Sequence, residues 1–174
     1  MLRAHKDIDF SQYLALEDLP WLSGRIDPGL WYPMDSFERM GVAILREIAR
    51  GDLQLVKHFG RVSLDALCGH YDNLVAKGDP HESLVRFRVL RQSFFDFPAL
   101  QIEDVLEEQA AAAVSYGMGA IAEEAATWQT MGFFERLLER SGGSPVRVTL
   151  STRSWAGDAK TRIQMAWTLP PRTR

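Results

Sequence analysis

The side chains able to do chemistry are few and far apart. Of the four histidines, His5, His58, His70 and His81, no two have the spacing of a zinc-binding H-E-x-x-H helix. His58 and His70 fall in a stretch that reads as helical. They are the two an enzyme acting on a small molecule would use as general acid or base. The single thiol, Cys68, has no partner for an internal disulfide. Beside Leu64, Leu67 and Tyr71 it reads as a small buried hydrophobe. The chain contains no phosphate-binding glycine loop, no dinucleotide fingerprint, no G-x-S-x-G elbow and no C-x-x-C pair. The expectation is therefore a protein that is not an enzyme, with small-molecule processing through His58 or His70 as the alternative.

Three further groups could recognise something. "RVTLSTRSWAGDAKTRIQMAW", residues 147–167, reads as two strands about a Gly157-Asp158 loop. There Gly157 supplies a positive φ and Asp158 bonds nearby backbone N–H groups. Arg147, Arg153 and Arg162, with Arg172 and Arg174, form a basic stripe. It would meet an acidic partner, or else guard an edge strand against unwanted pairing. Tyr71, Phe87, Trp128, Phe133 and Phe134 would line an apolar pocket between helices and sheet, or be plain core. The carboxylates Glu103, Asp104, Glu107, Glu108, Glu123 and Glu124 read as solvated faces.

The elements that position these residues follow from pattern. Residues 1–33 are broken by Pro20, Gly24, Pro28, Gly29 and Pro33, yet too rich in Phe10, Tyr13, Trp21 and Trp31 for a free tail. They are expected to pack on the body, with a short helix at 10–17. Asp35 and Glu38 have capping-box spacing before a helix that Gly51 closes. A short helix is expected at 53–59 and another from Ser63 toward Gly78. Asp79-Pro80 with Glu82 opens the next. Alternation predicts strands at 99–106 and 109–117. A helix at 120–140 follows, then strands at 145–152 and 161–168. Gly132 lies inside "WQTMGFFERLLER", where a glycine costs helix stability, so another element should approach its backbone closely. The result is one α+β domain over 1–174. It comprises an irregular segment (1–33), a helical half (34–95) and a ββαββ half (96–170).

A net charge of −3 gives no general attraction to nucleic acid. No apolar run approaches the ~20 residues of a membrane span. With one cysteine and no apolar core at the N-terminus, a cytoplasmic location is expected.

"WYPMDSFERMGVAILREIARGD" and "MGFFERLLERSGGSPVRVTLSTRSWAGDAKTRIQMAW" in this order resemble a superfamily of three groups. These are the vinyl-reductase-type small-molecule-binding domains, the haem-NO-binding domains and the TRAPP-type trafficking subunits. The resemblance is to a bacterial paralogue family of that shape and spans residues 30–168. It implies a signalling or interaction module, paired subunits, and a small apolar ligand or a protein partner. The zinc pattern Cys-x-x-x-Gly-Asp-x-x-Cys of the first group meets Arg153 and Thr161 here, neither a thiolate. The Tyr-x-Ser-x-Arg motif and helical histidine of the haem-binding group are not supplied by "SYGMG" or "STRSW". Neither cofactor is expected. A structural adaptor without ligand is the remaining alternative.

Overall fold

The computed structural model describes residues 2–24, 27 and 29–169. Pro28, Arg172 and Arg174 lie outside these. The expected α+β layout holds: helices followed by a four-stranded antiparallel sheet.

The helical half begins with α1 (Pro20–Ser23) and α2 (Met34–Ala43). No helix forms at 10–17; single turns such as Tyr13 N to Phe10 O carry that stretch. The Asp35–Glu38 box is also absent. Pro33 is the cap, its carbonyl taking the N–H groups of Ser36 and Phe37. Proline just outside the helix leaves no box geometry, and Glu38 is spent elsewhere. α2 loosens into a π-turn over Ile44–Ile48, and Gly51 (φ +80°) ends it as expected.

α3 (Leu53–Cys68) is one helix rather than two, capped by Asp52, whose carboxylate accepts from Gln54 N and Leu55 N. Ser63 is not a cap: its hydroxyl donates to Phe59 O inside the continuous helix. The chain then turns, so Tyr71, Leu74 and Val75 are not helical. α4 (Pro80–Leu90) starts as predicted, with Asp79 accepting from Glu82 N. Glu82 itself pairs with Arg86 at 2.8 Å instead of closing the box.

β1 (Leu100–Val105) and β2 (Gln109–Val114) form the first hairpin, α5 (Ala120–Arg140) follows, and β3 (Val146–Thr152) and β4 (Thr161–Trp167) form the second. The sheet order is β1-β2-β4-β3, with Ala112 opposite Ile163 and Val148 opposite Met165.

α5 packs against α2, α3, α4, β3 and β4. Its Phe134, Leu137 and Leu138 are fully buried in the main core with Ile163 and Met165 of the sheet. Its Ala125 joins Leu45, Ala49 and Val56 in a second cluster. α3 crosses α5 at two glycines. A Cβ at Gly132 would lie 1.8 Å from Lys57 O, and one at Gly60 1.8 Å from Gln129 O. The close approach expected at Gly132 is thus made by a helix, α3. Ion pairs flank the crossing, including Arg61 with Glu135 and Glu139 and Asp65 with Arg136 and Arg140.

Candidate functional site

The space between helices and sheet is filled. Phe87 of α4 lies 4.8 Å, centre to centre, from Phe133 and 5.6 Å edge-on from Phe134. Three of the five aromatics expected at a pocket are therefore brought together, but against one another. Trp128 packs on the Leu45–Val56 cluster. Tyr71 meets this group through Phe94, whose ring lies 6.5 Å from Tyr71 and 6.4 Å from Phe87, and it borders an open hollow with His70, Arg86 and Val89. The small side chains of β2, Ala110 and Ala112, leave room on the inner sheet face that large core side chains occupy.

An apolar cavity lies instead among the helices. It measures about 740 Å³. Its walls are the N-terminal strap (Leu2, Arg3, Trp21, Leu22, Tyr32), α2 (Phe37, Met40, Gly41, Ile44), α3 (Phe59, Val62, Ser63, Ala66) and the start of α5 (Ala122, Ala125, Ala126, Gln129). The α5 positions recur at i, i+3, i+4 and i+7, one face of the helix. Three alanines in that stripe hold the cleft open, because no side chain there reaches across. Phe37 and Val62 are about half exposed at the mouth.

The strap is fastened by polar contacts. Asp18 is fully buried and takes Arg39 in two hydrogen bonds, Nε to Oδ2 at 2.6 Å and Nη2 to Oδ1 at 3.0 Å. Those bonds from Arg39 hold the Asp18 carboxyl well below the usual carboxylate range, outweighing the cost of burial; Ser36 and Ala15 N assist. Tyr13 donates to Glu47 at 2.6 Å, which raises its phenol pKa. Arg3 donates from Nε and Nη2 to Trp21 O, and from Nη2 to Gly24 O, tying the first turn to the end of α1.

The loop that leads into α5 is held by two carboxylates. Glu123, read from sequence as solvated, is 5 % exposed and accepts from Tyr116 N and Met118 N. A first-turn glutamate on α5 meets unpaired amides as well as the helix dipole there. Glu38 accepts from Gly119 N at 2.9 Å. Both fix the loop that delivers Met118 and Ala122 to the cleft wall. Burial pushes the Tyr116 phenol up to about 12, and its oxygen lies 2.5 Å from Thr130 Oγ1.

The remaining expected groups are scattered. His58 is exposed on α3. His70 sets Nδ1 3.1 Å from Ala66 O at the end of that helix. The two share no acid or nucleophile in the described contacts. Gly157 has φ +102°, and Asp158 accepts from Arg153 N at 2.6 Å, so the Gly-Asp is a turn. Arg162 is neutralised by Glu103, which also takes Lys160 at 2.9 Å. These partners, Lys160 first, lower the Glu103 pKa, so Glu103 belongs to an ion-pair cluster rather than a solvated face. Arg147 and Arg153 remain exposed on the β3 edge and its loop. Arg172 and Arg174, the rest of the stripe, lie outside the described residues. At the expected zinc position Thr161 Oγ1 accepts from Ser154 N, and no group of three metal-ligating residues occurs among the described residues.

Neither a protein-family model nor a curated protein sequence matches the chain. Solved structures do. An H-NOX protein from S. oneidensis in the Fe(II)NO ligation state matches at TM-score 0.60 and 11% identity, over 84% of this chain and 82% of that one. A mutant of T. tengcongensis H-NOX matches at 0.61 and 10%, over 98% and 94%. A structure described as probing heme distortion in the H-NOX family matches at 0.62 and 10%, over 99% and 94%. Identity at this level shows the fold, here that of the haem-NO-binding group. Among the described residues the wall of this cleft holds neither imidazole nor thiol to ligate a haem iron, and its one cation, Arg3, is bonded to backbone carbonyls. The helix–sheet interior is packed with Phe87, Phe133 and Phe134. "SYGMG" places Tyr116 against Thr130 with no arginine in the motif.

Proposed function

We propose that this protein is a non-enzymatic sensory module that binds a small, mostly apolar molecule in the cleft between the N-terminal strap, α2, α3 and α5. The cleft is the observation that carries the reading. At about 740 Å³ it has the size of small-molecule sites, and its lining is apolar with a few polar groups. The fold supports it, because H-NOX neighbours include one described with a bound diatomic ligand. The donor set supports a ligand other than haem. The separation of His58 and His70 supports a role without catalysis.

Paired subunits in the cytoplasm belong to the same proposal. Phe37 and Val62 of the helical half and Ile121 of α5 leave apolar surface that a second copy would cover. Light scattering should then give about twice the 19.7 kDa chain mass.

Native mass spectrometry of the purified protein tests the reading directly. A retained apolar adduct of small mass, with no Soret band after incubation with hemin, is the expected result. Stoichiometric haem uptake would overturn the haem-free part. A protein that neither retains nor acquires any apolar compound would be a structural adaptor.

A further inference from the structure

Two features of the cleft say more about its ligand than its volume does. The first is Gly41, in the last turn of α2, where the helix continues into the π-turn. A glycine there costs helix stability by roughly 1 kcal/mol relative to alanine. At Gly60 and Gly132 that cost has a steric cause, since a Cβ would strike backbone oxygen. At Gly41 an added Cβ meets nothing within 4 Å, and the backbone is ordinary helix. No described neighbour requires the glycine. It leaves open space in the wall of the cleft, in line with the alanines contributed by α5.

The second is Arg3. It is the one formally charged side chain in the cleft wall among the described residues. It is exposed, and no carboxylate among the described residues pairs with it. Its Nε and Nη2 are held by the carbonyls of Trp21 and Gly24, so the guanidinium is oriented before any ligand arrives. Backbone carbonyls fix the fork without cancelling its charge.

Resting on the cleft as the binding site, we propose that its ligand is an apolar monoanion. A hydrocarbon or aromatic body fills the space over Gly41, and a single carboxylate-like group sits at the mouth against Arg3. An anion at this rim keeps part of its hydration and meets a preoriented cation. A cation there would meet like charge. A ligand carrying its charge at mid-body would have to bury it among apolar walls at high cost.

The test uses the full-length protein and the neutral fluorophore N-phenyl-naphthylamine, displaced in turn by decanoate, decanol and decyltrimethylammonium at pH 8 and low salt. The fluorophore should bind the native chain and bind Gly41→Phe several-fold more weakly, because the added ring takes up part of the cleft. Decanoate should displace it about tenfold more effectively than the cation of equal chain length, with decanol between, a preference that added salt reduces. Arg3→Gln should bring the anion and cation to within about twofold, while Arg3→Lys, which keeps the charge, should retain the order. If the fluorophore binds and Gly41→Phe weakens it, yet decanoate is no better than the cation or Arg3→Gln leaves the preference intact, the anion proposal is overturned and the cleft reading survives. If the native chain does not bind it, or Gly41→Phe binds it equally, the cleft reading fails and the anion proposal with it.

Discussion

Gly60 and Gly132 face each other across the α3–α5 crossing, each standing where a side chain would penetrate the partner helix's backbone. An added Cβ would come within 1.8 Å of Gln129 O in one case and Lys57 O in the other. Backbone cannot swing aside as a side-chain tip can, so alanine at either site forces the helices apart. Overpacking of this kind costs about 1–3 kcal/mol, more than the propensity of roughly 1 kcal/mol that alanine returns. Gly132→Ala and Gly60→Ala should both lower the urea midpoint. Gly41→Ala, with nothing near its Cβ, should raise it. A stabilised Gly132→Ala would mean that the helices do not cross there.

The Asp18–Arg39 pair should govern the strap. Arg39→Ala leaves a buried carboxylate without its cation and should cost about 3–5 kcal/mol, measured by denaturant unfolding. The pH dependence has a definite sign. Asp18 is depressed in the folded state relative to an ordinary aspartate near 3.9. Its contribution is therefore complete above the unfolded value and is lost as pH falls below it toward the folded one. Asp18→Asn should flatten the loss of stability between about pH 5 and pH 2 relative to the native chain. An unchanged acid limb would show that the strap is held by its apolar contacts alone.

Some of this was legible in the residue order and some was not. Alternation about Leu100 and Ile102 marked β1, because a period of two cannot sit on a helix, whereas the alanine run of β2 is buried along nearly its whole length and carries no such period. Asp79-Pro80 marked α4, because both residues act locally. Gly132 stood out against its bulky neighbours. Gly60 carries the same meaning in "LVKHFGRVSL", but only the partner helix distinguishes a contact glycine from a break. The cleft was illegible for the same reason. It depends on which faces of α2 and α3 meet Ala122, Ala125 and Ala126, a tertiary choice. Glu123 was misread because a first-turn glutamate is commonly solvated, and nothing local reveals that Tyr116 and Met118 would fold back onto it.

The closing hairpin should be indifferent to metal. Asp158 accepting from Arg153 N and Thr161 accepting from Ser154 N hold the turn that thiolates would otherwise clamp. Incubation with a strong chelator should leave the melting temperature unchanged. A large drop, of the kind that metal removal causes in zinc-dependent domains, would contradict this.

Cys68 should be a sluggish nucleophile. Burial raises its pKa, and the opposing influence of Arg140 does not cancel that. The thiolate is the reactive form, so iodoacetamide at neutral pH should modify Cys68 more slowly than free cysteine. The rate should climb on moving to alkaline pH. Modification as fast as that of a free thiol at neutral pH would show an accessible, activated sulfur.

The central claim is that ligand enters among the helices and not between helices and sheet. Methyl NMR of the native chain titrated with N-phenyl-naphthylamine tests it most directly. The methyl signals of Met40, Ile44, Met118 and Ala126, which border the cleft, should shift and show contacts to the ring protons. Those of Leu137, Leu150 and Ile163, in or against the core over the sheet, should stay in place. Shifts and ring contacts at Leu137, Leu150 and Ile163, with Met40 and Ala126 unmoved, would contradict the account.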